Sequence, residues 1–167
     1  MAKPYVDVGK KIYPNITFVH GDFTSLPVKP HDLLIFSDVL EHIEDDEKFM
    51  EKCATNCRYG VFKIPIENAY YVKLQILLGR RAAPGRAHPS GHVRDYTQSE
   101  AISLVGRFFE PLKIYYPDYT EIIQTNTFLG ELHSWMFKIL YRLNKDACSV
   151  VFGGPIFILS KSKLLDS

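Results

Sequence analysis

The stretch that most constrains this chain is DLLIF at residues 32–36, an almost unbroken apolar run. A strand with one wet face alternates apolar and polar side chains, whereas a strand covered on both faces reads as a continuous apolar run. Such strands belong to parallel sheets, whose crossovers need intervening helices. The following residues supply one. Asp45, Asp46 and Glu47 put acids into a first helical turn, where the helix dipole favours them, and Phe49, Met50, Cys53 and Cys57 give that helix a buried side. Gly60 is expected to end it, residues 61–64 to form the next strand, and Pro65 to close that strand.

The same alternation runs through the chain. Upstream, Pro14 and Asn15 introduce residues 16–19, a β-branched and aromatic run read as a strand that ends at Gly21 and Asp22. Residues 70–78 read as a helix ending at Gly79. Residues 80–96 read as an exposed loop, its first part rich in proline and arginine. Thr97 is placed to cap a helix over 98–108, with Glu100 completing a capping box. Residues 112–116 and 155–159 read as strands. Between them, residues 128–143 form an amphipathic helix in which Leu132, Trp135, Met136, Ile139, Leu140 and Leu143 share one face, expected to pack against the sheet. The fold class is therefore α/β, with a mostly parallel sheet and helices on both faces, in one domain over residues 1–167.

Three further readings narrow the function. A formal net charge of +1 gives no general attraction to nucleic acid or to an anionic surface. The first 15 residues hold no apolar run resembling a signal peptide, and no stretch reaches the roughly 18 apolar residues of a membrane span. Three cysteines, Cys53, Cys57 and Cys148, do not form a secreted disulfide pattern, so a reducing cytoplasm is the expected location.

Three motifs carry a resemblance. ITFVHGDF at 16–23, followed by Leu26 and Pro27, and DLLIFSDVLEHI at 32–43 are similar to the third and fourth strands of class I, Rossmann-like S-adenosylmethionine-dependent methyltransferases. GHVRDYT at 91–97 resembles the segment ahead of a late helix in many members. The resemblance implies S-adenosylmethionine as cofactor, with Asp22 accepting from the adenine amino group and Phe23 offering its backbone N–H to the ring. By the same resemblance, the backbone of Ser37 and Asp38 faces the methionine end. The family's glycine-rich turn and the acid that grips the ribose are not found in residues 1–15. The chain therefore reads as the C-terminal two-thirds of the fold, a truncated product lacking the first two strands. A strand at 16–19 would then lose its neighbours, leaving a re-paired sheet or a large exposed apolar patch.

Methyl transfer to a hydroxyl calls for a base, and His42 and His92 are the candidates, since imidazole titrates near neutrality. No metal is expected. The alternative is a divalent ion held by Asp38, Glu41, His42 and His92, a set similar to that of small-RNA terminal 2′-O-methyltransferases. The acceptor is read as a small molecule or glycan methylated at oxygen, bound by variable segments that include a helical insertion at 119–145. A second reading is a non-catalytic remnant that binds a partner, or dimerises, through an exposed sheet edge. A metal-dependent hydrolase is a third.

Overall fold

A four-stranded sheet organises the chain. The structure, a computed structural model, describes residues 3–23, 25, 29–80, 91–118 and 128–165. The apolar run becomes β1 (His31–Ser37), paired in parallel with β2 (Cys57–Ile66) so that Ile35 lies opposite Val61 and Ser37 opposite Lys63. β4 (Gly154–Ser162) runs antiparallel to both β2 and β3 (Phe109–Tyr115), giving the order β1-β2-β4-β3. Three strands point one way and β4 opposes them, so the sheet is mostly but not wholly parallel.

Among the described residues six helices accompany it: α1 (Lys3–Ile12), α2 (Asp46–Asn56), α3 (Tyr70–Leu77), α4 (Gln98–Phe108), α5 (Phe128–Leu143) and α6 (Lys145–Phe152). A 3-10 turn, Leu40–His42, joins β1 to α2. Asp45 caps α2 by accepting the Lys48 N–H at 3.1 Å. Thr97 caps α4 with both arms of the capping box: Thr97 Oγ1 accepts the Glu100 N–H at 3.2 Å, and Glu100 Oε2 accepts the Thr97 N–H at 2.8 Å.

The core lies on one face of the sheet. Phe62, Ile64 and Ile66 of β2 and Ile156 and Ile158 of β4 are buried with Phe49, Met50 and Cys53 of α2 and Ala101, Leu104 and Val105 of α4. Each large side chain contributes about 1.5–3 kcal/mol by leaving water. The opposite face is open. Leu33 and Ile35 of β1, Leu159 of β4 and Tyr115 of β3 are exposed there, Ile35 by 68%. No strand pairs with the outer edge of β1 among the described residues. An exposed patch is one of the two outcomes expected from the sequence, but the 32–36 strand is also expected to be covered on both faces, and Leu33 and Ile35 are exposed instead.

The structure corrects four local readings. Residues 16–19 form no strand, because no neighbouring strand among the described residues offers them a ladder. Phe18 packs instead on α1, where a Cβ at Gly9 would meet its ring at 2.7 Å. Gly60 does not end a helix but lies inside β2, because the rings of Phe62 and Phe109 fill the space a side chain would need. Pro65 likewise stays in the strand, opposite Pro155 and beyond the last β1 partner, so no N–H is asked of it there. On α5 the buried residues are Phe137 and Tyr141, stacked at 5.8 Å and packed with Cys148 and Phe152 of α6. The stripe of Leu132, Trp135, Met136, Ile139 and Leu143 faces outward.

Candidate active site at the carboxyl ends of β1 and β2

Ligands of open α/β sheets sit beyond the carboxyl ends of the strands. At the end of β1, Asp38 adopts φ 53°, and among the described residues it alone is a non-glycine with positive φ. That left-handed backbone costs roughly 1–2 kcal/mol, least for Asp and Asn. Local bonds hold it there. The Asp38 N–H donates to the Lys63 carbonyl at 3.2 Å, Ser37 Oγ donates to Asp38 Oδ2 at 3.1 Å, and the Lys63 ammonium pairs with the same oxygen.

Asp22 lies at the rim of a cavity of about 280 Å³, which it lines with His42, Ile43, Glu44, Asp45 and Lys48. Ser25 turns back onto it, its Oγ donating to Asp22 Oδ2 at 3.1 Å. Phe23 anchors this corner through its ring, which meets Phe36 at 5.7 Å and Phe49 at 5.2 Å. Sequence reasoning assigned Phe23 a backbone role only.

Beside this cavity the 91–96 segment is strapped to the 3-10 turn and α2. The Glu41 carbonyl accepts the N–H groups of Val93 and Arg94 at 2.9 and 3.2 Å. Arg94 donates to the Glu44 carbonyl at 2.8 Å and pairs with Asp46 at 3.3 Å. The buried Tyr96 hydroxyl donates to Asp46 Oδ2 at 2.8 Å; burial first, and then that carboxylate, raise its pKa. The part of the expected exposed loop that is described is therefore fastened down, with Tyr96 buried; residues 81–90 lie outside the described residues.

The strap brings the two candidate histidines together, with ring centroids 4.9 Å apart. His42 Nδ1 lies 3.1 Å from the Gly91 carbonyl. His92 Nδ1 lies 2.5 Å from Glu67 Oε2, in a pair that is mostly buried. With Nδ1 donating, a neutral imidazole at either position carries its lone pair on Nε2. Next to them Glu41 is 1% exposed, and neither carboxylate oxygen has a hydrogen-bond partner among the described residues. Burial raises its pKa; its own backbone N–H and the two histidines pull the other way, and Asp38 adds to the rise.

Glu41, His42 and His92 each offer a ligand atom within 4.8 Å of the others, and Glu67, His92 and Asp95 form a second such group. Asp38, expected in that set, is in neither; its carboxylate is taken by Lys63. Glu67 and Lys63 were not singled out from the sequence. The signal for Glu67 was available, since it directly follows the carboxyl end of β2, as Asp38 follows β1.

No known protein-family model matches the chain, and no curated protein matches it by sequence. Solved structures do match. A SAM-dependent methyltransferase from Archaeoglobus fulgidus aligns over 93% of this chain and 72% of its own, with 18% identity and a TM-score of 0.56. A protein from Bacillus halodurans, described as a candidate methyltransferase, aligns over 96% of this chain and 80% of its own, with 12% identity and a TM-score of 0.58. The fold is that of a class I methyltransferase. The 4+2 cyclase SpnF also matches, over 94% of this chain and 61% of its own, with 12% identity and a TM-score of 0.54. The class I methyltransferase fold thus has a neighbour described by a different chemistry, and function must be argued from the site. No helix among the described residues is long and apolar enough to cross a membrane.

Proposed function

We propose that this protein transfers a methyl group from S-adenosylmethionine to a hydroxyl of a small-molecule or glycan acceptor. The observation that carries the reading is the Glu67–His92 pair at the carboxyl end of β2. A base must be held in one tautomer and aimed, and a carboxylate on Nδ1 does both. His92 Nε2 then takes the acceptor's proton as the oxygen attacks, and Glu67 is the positioning residue that stabilises the resulting imidazolium. His42, bonded to the Gly91 carbonyl, holds the strap in place and lines the cavity.

The residues at the strand ends fit the cofactor. Asp22 presents a carboxylate at the mouth of the cavity, suited to an adenine amino group, with Phe23 holding that corner through its half-buried ring. The constrained turn at Ser37 and Asp38 lets backbone approach a ligand closely, and Lys63 neutralises the Asp38 charge. When bound, S-adenosylmethionine supplies a methyl group already activated on a sulfonium. The chain's own work is to orient the acceptor, remove its proton and keep both partners aligned.

The test is a screen of hydroxylated acceptors with isotopically labelled cofactor, followed by His92→Ala and Glu67→Gln. The reading expects His92→Ala to abolish transfer while cofactor binding persists. Glu67→Gln, which leaves the base but removes what aims it, should lower the rate by less than the factor of about 10²–10⁴ that general-base catalysis supplies. Full activity in His92→Ala would refute the assignment. A second reading, a divalent ion at Glu41, His42 and His92, is favoured by the two buried oxygens of Glu41, which accept no hydrogen bond among the described residues and of which Oε1 lies 3.9 Å from His42 Nε2. It expects manganese or magnesium to raise the melting temperature of the wild type but not of Glu41→Gln.

A further inference from the structure

We propose that the outward stripes of α3 and α5 dock the protein on an anionic lipid surface. At 100° per residue, Leu132, Trp135, Met136, Ile139 and Leu143 lie along one side of α5, while Phe137 and Tyr141 lie along another and are the ones that pack. The outward stripe is well exposed, Trp135 by 61% and Leu143 by 78%. On α3, Val72 is buried while Tyr70, Leu74 and Leu77 face out. The two helices are tied by the Tyr71 ring stacked on His133 at 4.2 Å, and both of those rings contact Phe152 of α6. Two neighbouring helices therefore each bury one side and leave a second apolar stripe in water.

Charge selects the occupant. Across the chain, basic and acidic residues nearly balance at 20 and 19. In residues 70–80 and 128–145, however, Lys73, Arg80, Lys138, Arg142 and Lys145 face a single acid in sequence, Glu131, and Asp146 just beyond is occupied by Tyr116 and Gln98. Lys138 and Arg142 flank the Trp135 edge of the stripe at helical spacing. A two-fold contact with a second copy would set these cations against themselves. Anionic headgroups instead match the basic edge while acyl chains take the apolar stripe, and tryptophan is favoured at such a boundary. α5, at 16 residues, is too short to span a bilayer of about 30 Å and would lie in its plane.

Trp135 is the only tryptophan, so its fluorescence reads this helix directly. The protein is titrated with phosphatidylcholine vesicles, with and without phosphatidylglycerol. Docking predicts a shift of emission to shorter wavelength with the anionic vesicles, quenching by brominated acyl chains, and reversal by salt. Replacing Lys138 and Arg142 by Gln should weaken partition about 25-fold, at roughly fivefold per charge. Ile139→Ser with Leu143→Ser should weaken it while the far-ultraviolet circular dichroism stays unchanged, since neither side chain belongs to the Phe137–Tyr141–Phe152 cluster. No shift with anionic vesicles overturns the proposal, as does an equal shift with neutral vesicles. A shift produced by concentrating the protein without lipid overturns it in favour of self-association.

Discussion

Replacing Glu41 by Gln should stabilise the protein at neutral pH. At 1% exposure the carboxylate has lost its water, and neither oxygen has gained a hydrogen bond among the described residues. Burial accordingly raises its pKa above the ordinary 4.5. A group raised in this way favours the folded state below its unfolded pKa, and that contribution is lost as pH rises through its folded pKa. At neutral pH the wild type therefore carries the extra cost of burying a charge, on the order of 1–3 kcal/mol beyond that of an equally unpartnered neutral amide. For a chain of this size the gain corresponds to roughly 2–12 °C in melting temperature. Thermal melts of both proteins should nearly coincide below pH 4.5 and separate above it, with Glu41→Gln the more stable. A mutant that is less stable at pH 7, by a margin that does not shrink in acid, would refute the reasoning and mean that a favourable partner engages the carboxylate.

Thr97→Ala removes the capping box of α4 and should cost about 1 kcal/mol, read as a lower denaturant midpoint at unchanged m-value. The three cysteines are free and buried, and burial pushes the thiols of Cys57 and Cys148 up to about 11 and that of Cys53 higher still. They should resist Ellman's reagent at pH 8 in the folded protein and react fully in denaturant. Tyr96→Phe removes a buried hydrogen bond to Asp46 and should destabilise by about 1.5–3 kcal/mol in equilibrium unfolding, with the amides of Val93 and Arg94 losing protection from hydrogen exchange as the strap loosens.

What was legible in the sequence was mostly local. The capping box at Thr97 and Glu100 needs only its own turn, and it formed as read. The run at 32–36 announced a strand of a mostly parallel sheet, and the motifs around Asp22 and Asp38 pointed to its carboxyl end. Features that depend on partners distant in the chain were harder. Gly60 reads as a helix stop until Phe62 and Phe109 are seen to fill its side-chain space. α5 has apolar residues on two sides, and periodicity alone does not tell which one meets Phe152 and Cys148. Glu67 became a site residue only when the 91–96 strap placed His92 against it, 25 positions along the chain.

The central claim is an S-adenosylmethionine site at the ends of β1 and β2, and calorimetric titration of the protein with that cofactor tests it most directly. The account predicts saturable binding at one site, weakened about 10- to 100-fold in Asp22→Asn, since a hydrogen bond to a charged group is worth about 1.5–3 kcal/mol. Absence of binding, or binding that Asp22→Asn leaves untouched, would contradict it.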